Sequence, residues 1–112
     1  MSDDERARRI GLNEAVFREV NERLEGIAST VAVGHELLDL VCECGDASCT
    51  ARLRVDRAEY ERTRADPRHF LVCTGHVIPD VERVVREGKG YEVVEKLPGV
   101  PEEIAEETDP RS

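Results

Sequence analysis

The stretch VCECGDASCT, residues 41–50, contains three of the chain's four cysteines. The 112-residue sequence has 25 acidic and 16 basic residues, and its charged N-terminus has no apolar run of signal-peptide length. These features predict a cytoplasmic protein, in which thiols stay reduced and disulfides are rare. We therefore expect the cysteine cluster to bind a metal or to carry out redox chemistry rather than to form two disulfides.

Two apolar runs flank the cysteines and predict a β-hairpin. ELLDLVC, residues 36–42, has the composition of a buried strand. TARLRV, residues 50–55, alternates apolar and polar residues, as a half-buried strand does. The cysteine stretch is therefore expected to form the loop of this hairpin.

The loop cysteines have the chemistry of a zinc site. Zinc takes four tetrahedral ligands, most often thiolates and imidazoles, and Cys42, Cys44 and Cys49 supply three of them. A turn at Gly45 and Asp46 brings Cys49 back toward the other two. Zinc is the expected metal, and iron is a minor alternative because four thiolates also suit iron.

The fourth ligand has to come from outside the hairpin, and two candidates lie three residues apart. Cys73 ends the apolar run HFLVC, where a cysteine often serves as a small buried hydrophobic residue. His76 follows Gly75 in a turn from which its side chain can reach the loop, so we favour His76 and keep Cys73 as the alternative. His35 and His69 are weaker candidates, because one lies in a linker and the other faces away from the hairpin tip.

The remaining patterns predict an α+β fold. Residues 10–28 have the periodicity of a leading amphipathic helix. Asp56 and Glu59 have the spacing of a capping box, which predicts that a second helix starts near Arg57. Further strands are expected at 69–73, 81–85 and 91–96, the last two joined by a glycine turn. We expect an N-terminal helix, a small antiparallel sheet with one further helix, and a zinc-clipped hairpin loop.

A single zinc-binding domain is predicted at residues 10–96. Residues 1–9 are expected to be a flexible N-terminus. Residues 97–112, LPGVPEEIAEETDPRS, begin with prolines and a glycine and continue as an acidic run, which predicts a mobile tail. The alternative for this tail is one helical turn at 102–105.

The leading helix has apolar residues at a spacing that another helix can match. They recur every seven residues, with two more at the intervening position, and this pattern predicts a homodimer seam. The seam residues are Ile10, Phe17, Val20, Leu24 and Ile27. Docking of the helix on the chain's own sheet is the alternative.

The polar residues of the same helix are expected to lie mostly outside. Glu14 and Arg18 are placed on the outer faces, where a pair four residues apart supports a helix. Asn13 takes the remaining inner position, where a polar residue sets the register of a helix pair at some cost in stability.

The sequence disfavours several classes of function. A net charge of −9 repels nucleic-acid phosphates and anionic membranes, and no segment has the length of a membrane span. The chain also has no Gly-rich phosphate loop, no Gly-x-Ser-x-Gly elbow and no His-Glu-x2-His helix. The expected partner is therefore another protein or a second copy of this chain.

The order of the motifs resembles that of a family of small uncharacterised proteins from high-GC bacteria. The resemblance covers nearly the whole chain and rests on NEAVFREVNER, CECGDASC, EYERTRADPRHF, GH, ERVV, YEVVEK and EETDPR. Those proteins carry a Cys-x-Cys-x4-Cys loop and a later Pro-Gly-His turn, which implies the ligands Cys42, Cys44, Cys49 and His76. Here the turn is Thr-Gly-His, and Cys73 adds a thiol near it. The resemblance implies no established activity.

Three functions are compatible with such a site. Four protein ligands leave zinc no open position, which favours a structural metal in a non-enzymatic module that acts through protein–protein interaction or regulation. The first alternative is a thiol redox sensor that releases zinc on oxidation. The second is a zinc-dependent hydrolytic enzyme, for which Glu43 and Asp46 are the only nearby carboxylates.

Overall fold

The structure, a computed structural model, describes residues 2–31 and 37–111. In this part of the chain three helices accompany five strands, so the expected α+β fold with a leading helix is confirmed. The elements are α1 (Asp3–Val31), β1 (Leu37–Val41), β2 (Arg52–Asp56), α2 (Arg57–Arg64), β3 (His69–Cys73), β4 (Glu82–Gly88), β5 (Tyr91–Lys96) and α3 (Val100–Glu107). His35 lies outside the described residues. None of these helices is long and apolar enough to cross a bilayer.

The strands form two small antiparallel sheets rather than one. β1 pairs with β2, and the other sheet has the order β3-β5-β4. In the first sheet Leu40 lies opposite Leu53 and Leu38 opposite Val55, with all four side chains buried. The cysteine stretch is therefore the loop of the β1–β2 hairpin, as its flanking runs predict.

Local turn and capping signals are found where the sequence places them. The Asp56 side chain accepts a hydrogen bond from the Glu59 backbone N–H at 2.8 Å, which caps the start of α2. The turn between β4 and β5 contains Gly90 at φ +84°, a conformation that favours glycine.

The core lies where α1, α3 and the two sheets meet, and the metal-candidate loop belongs to it. One cluster is formed by the hairpin with Tyr60 and two strand residues, Leu71 and Val93. A second cluster includes two loop cysteines, and its buried members are Cys42, Cys44, Phe70, Val72, Val94 and Ala105. Apolar packing therefore fixes the start of the loop, at Cys42 and Cys44.

Helix α1 is longer than the expected 10–28 and includes most of the segment expected to be a flexible N-terminus. Ala7 is buried, and Arg6 forms an ion pair with Asp80. Of the predicted seam residues, Ile10 is buried and Leu24 packs against the hairpin cluster, within the same chain. Val20 remains 38% exposed and Ile27 59% exposed.

The placement of Glu14 and Arg18 on outer helix faces is wrong. Glu14 is fully buried and forms an ion pair with Lys96, which also pairs with Glu82 at 2.9 Å. Arg18 is also buried and donates hydrogen bonds to the carbonyls of Pro67 at 2.7 Å and Ala105 at 2.8 Å. Partners from other elements pair with Glu14 Oε1 and with both terminal nitrogens of Arg18, which offsets much of the cost of burying them, while Glu14 Oε2 and Arg18 Nε have no partner among the described residues.

The segment expected to be an acidic tail contains helix α3. Ile104 and Ala105 are buried, and the backbone of α1 approaches closely at Gly11, where an added Cβ would lie 2.8 Å from Ile104 Cγ2. The glutamates of α3 are exposed or half-buried. The segment is therefore a short amphipathic helix, although its acidic composition is typical of a mobile tail.

Candidate metal centre

The three loop cysteines and His76 come together in space. Their ligand atoms, three thiol sulfurs and a ring nitrogen, all lie within 4.8 Å of one another. His76 Nδ1 is 3.5 Å from Cys42 Sγ and 3.7 Å from Cys49 Sγ. Cys42 and Cys44 are buried, while Cys49 and His76 are half-buried, and all the cysteines are free thiols. This group can hold a metal ion.

The tip of the loop is shaped by Asp46. Its Oδ1 atom accepts hydrogen bonds from Ser48 N–H at 2.9 Å and from Ser48 Oγ at 2.7 Å. The Cys49 N–H then donates to the Asp46 carbonyl at 3.0 Å. This Asx turn returns the chain so that Cys49 lies beside Cys42 and Cys44, as the sequence predicts.

Helix α1 supports the loop at Gly45. An added Cβ on Gly45 would lie 2.4 Å from Ile10 Cγ2, so only glycine fits this close approach. The Asn13 side chain donates to the Gly45 carbonyl at 3.0 Å. Asn13, expected on the inner side of the helix, therefore holds the loop of its own chain.

A tight turn after β3 presents His76. The His76 N–H donates to the Cys73 carbonyl at 2.9 Å, and Gly75 between them has φ +86°. The Gly75 N–H is held by Glu92 Oε1 at 3.0 Å, which attaches the turn to β5. The Thr-Gly-His turn therefore directs the imidazole toward the hairpin loop.

Cys73 supports the cluster without belonging to the group of close ligand atoms. Its backbone N–H donates to Cys42 Sγ at 3.2 Å, and its own Sγ points toward the Arg52 carbonyl at 3.5 Å. A backbone N–H that donates to a thiolate sulfur stabilises it, which is a common supporting contact around metal sites.

His69 lies in a different group of potential ligands. Its Nε2 atom is 3.0 Å from Glu95 and 3.4 Å from Asp66. Arg68 binds Asp66 at 2.9 Å, and Arg83 binds Glu95 at 2.9 Å. These arginines already compensate both carboxylates, so this surface network has no need of a cation.

The electrostatics of the cysteine cluster favour neutral thiols until a cation arrives. Burial raises the pKa of Cys42, and the backbone N–H groups of Cys73 and Cys44 lower it by a smaller amount. Burial also raises the pKa of Cys44, against the backbone N–H of Asp46. A metal ion would therefore displace protons from these thiols as it binds, which makes its affinity pH-dependent.

Glu43, between the first two cysteines, faces away from them into the core. It is fully buried; its Oε1 atom accepts from Arg64 Nη2 and from Leu71 N–H, each at 2.9 Å. Its Oε2 atom accepts from Asn21 Nδ2 at 2.7 Å. Core partners therefore hold both oxygens of Glu43 on the side away from the cysteines, while Asp46 shapes the turn through its Oδ1 atom.

The sequence pattern did not predict that Glu43 is buried and hydrogen-bonded in the core. Side chains alternate along extended chain, so two cysteines facing the cluster require that the residue between them face the opposite side. That alternation was a usable signal. Its partner Arg64 is 21 positions away and has no distinguishing local pattern.

Comparison with known proteins gives no match. No protein-family model fits the chain, and neither a curated protein nor a solved structure is significantly similar to it. Function therefore has to be inferred from the geometry of the site.

Proposed function

We propose that this protein is a non-enzymatic zinc-binding module in which Cys42, Cys44, Cys49 and His76 hold one structural Zn²⁺ ion. The spacing of the donor atoms carries the proposal. With zinc bonds of about 2.3 Å to sulfur and about 2.0–2.1 Å to nitrogen, tetrahedral angles separate the two atoms by about 3.6 Å. The observed separations from His76 Nδ1 are 3.5 and 3.7 Å.

A structural role agrees better with the surroundings than a catalytic one. Four protein ligands fill the tetrahedral coordination that zinc prefers and leave no position for a reacting water. The ion would join the β1–β2 loop to the turn after β3, and therefore one sheet to the other. The protein then acts through contacts of its surface with another protein chain.

The setting of the protein completes the proposal. Free thiols suit a reducing compartment, and we place the protein in the cytoplasm. The sequence resemblance to the small Cys-x-Cys-x4-Cys proteins of high-GC bacteria supports the same ligand set. The net charge of the chain, −9, favours a protein partner over a nucleic acid.

Metal content tests the proposal directly. Protein purified without added metal should contain close to one zinc per chain by elemental mass spectrometry. Cys49→Ser should lose the zinc and unfold at a lower denaturant concentration, because metal binding and folding are linked. A wild-type protein that is fully folded and free of metal would contradict the proposal.

A matched pair of variants tests the fourth ligand. His76→Ala should weaken zinc retention against a chelator more than Cys73→Ser does. Of these two candidates, only His76 places a ligand atom within the close group formed with the three loop cysteines. The reverse order would assign the position to Cys73 and make the site all-thiolate.

A further inference from the structure

Helix α1 presents an apolar stripe on the side opposite the core. Leu12, Val16 and Val20 follow one another every four residues and are 48%, 62% and 38% exposed. No other element among the described residues covers them.

The charges around this stripe have an ordered pattern. Glu5, Arg8 and Arg9 precede it, and Glu19 and Arg23 lie on either side of its last residue, Val20, all of them exposed. Glu19 and Arg23 lie 3.6 Å apart on the surface. In a chain with a net charge of −9, this face combines three basic and two acidic residues, so it lacks the acidic excess that opposes self-association elsewhere.

We propose that this face binds a second copy of the same chain, with the two α1 helices antiparallel about a two-fold axis near Glu14. Leu12 of one copy then lies opposite Val16 of the other. The flanking charges meet their opposites in the same register: Glu19 lies opposite Arg8 and Arg9, and Glu5 opposite Arg23. Such a self-complementary patch is what a symmetric dimer requires.

The charge pattern favours a second copy of this chain as the partner and an antiparallel arrangement of the two α1 helices. A parallel pair in register would put arginine against arginine and glutamate against glutamate, which is unfavourable. The helix is also long enough for this contact. Its 29 residues span about 43 Å, close to the 46 Å length of the molecule.

The proposed stripe shares only Val20 with the seam that the heptad spacing predicts. Ile10 and Leu24 of that seam contact their own chain, while Leu12 and Val16 were outside it. The proposed function requires a protein partner without identifying it, and the dimer identifies that partner as a second copy of this chain. The dimer rests on the proposed function in this respect alone. The contact itself involves no metal ligand, so zinc content and dimerisation can fail independently.

Sedimentation velocity of the zinc-loaded wild-type protein should show its mass rise from 12.6 kDa toward twice that value as concentration increases. Val16→Asp should weaken the dimer at least about 100-fold, because the buried charge enters the interface from both copies. Ile27→Asp is the matched control: Ile27 is similarly exposed, at 59% against 62%, but lies outside the paired register. It should leave dimerisation within about two-fold of wild type.

Charge reversal tests the direction of the helices. Glu19→Lys alone, and Arg8→Glu with Arg9→Glu, should each weaken the dimer about 10-fold, and combining all three substitutions should restore it. Circular dichroism and zinc content should be unchanged in every variant, since all the sites are exposed. A wild-type chain that stays monomeric up to about 1 mM, or reversals without effect and without mutual rescue, would overturn the proposal.

Discussion

The two faces of α1 reverse the usual arrangement of a surface helix. The inner face buries Glu14, Arg18 and Asn21, each at most 1% exposed. The outer face leaves Leu12 and Val16 about half exposed. Burial on this helix follows the presence of a partner rather than the polarity of the residue: polar side chains lie inside where other elements supply hydrogen-bond partners.

The inner polar residues each connect α1 to a different part of the fold. Asn21 exchanges two hydrogen bonds of 2.9 Å with the Val41 backbone at the end of β1. Arg18 joins the α2–β3 connection to α3 and stacks 4.4 Å above the Phe70 ring. Glu14 reaches Lys96 at the end of β5. Such directional contacts fix the position of the helix more specifically than apolar packing alone.

The largest effect is expected at Arg18. Arg18→Ala should lower the free energy of unfolding by about 3 kcal/mol or more, since it leaves buried carbonyls unsatisfied and removes the contact with Phe70. Urea unfolding followed by circular dichroism measures the change. A loss below about 1 kcal/mol would show that water replaces these donors and that the inner contacts contribute little.

A smaller effect, with a distinctive pH dependence, is expected for Glu14→Gln. Burial, and then the interaction with Glu82, raises the pKa of Glu14 well above its ordinary value of 4.5. A raised folded-state pKa contributes stability below the unfolded value and loses it as pH rises through the folded value. The stability of wild type relative to Glu14→Gln should therefore fall as the pH rises from the ordinary value of 4.5 toward neutrality.

The measurement is the difference in unfolding free energy between Glu14→Gln and wild type across that range. Glu19→Gln, at an exposed position of the same helix, is the control and should show no comparable slope. A difference that stays constant with pH would indicate that Glu14 keeps an ordinary pKa through its pairing with Lys96.

The smallest effect is expected on the outer face. Arg23→Ala removes an exposed side chain whose ion pair with Glu19 is 3.6 Å long. Such surface pairs contribute little, so the free energy of unfolding should change by less than about 0.5 kcal/mol. The unfolding free energies of Arg23→Ala and Arg18→Ala should be compared at a concentration at which the protein is monomeric. Equal losses in the two variants would show that burial does not determine how much each arginine contributes to stability.

Features encoded within a few residues could be predicted from the sequence. The capping contact from Asp56 to Glu59, the Gly90 turn and the Asx turn at Asp46 each depend on neighbours along the chain. The cysteine spacing likewise gave the loop part of the site. It gave His76 only as one of two candidates, because the fold, not the spacing, brings that turn to the loop.

Features that depend on distant partners could not be predicted in the same way. Glu14 meets Lys96 across 82 positions, and Arg18 meets Ala105 across 87. Without those partners, both residues have the pattern of a solvated helix face. Helix α3 was expected only as one turn at 102–105, the alternative to a mobile tail, because Ile104 and Ala105 become informative once α1 lies against them.

The alternation of Cys42, Glu43 and Cys44 divides the loop into parts of unequal local stability. The Glu43 N–H donates to the Leu71 carbonyl at 2.8 Å, while the Leu71 N–H donates to Glu43 Oε1. Opening the loop base would therefore expose a paired carboxylate, whereas the tip at Ser48 is held by short-range bonds. In amide hydrogen exchange, the Glu43 and Leu71 protons should exchange with the slow core, and the Ser48 proton with the fast, locally opening segments. The loop base, which carries the candidate ligands Cys42 and Cys44, thus belongs to the folding unit of the core, and only the tip opens locally.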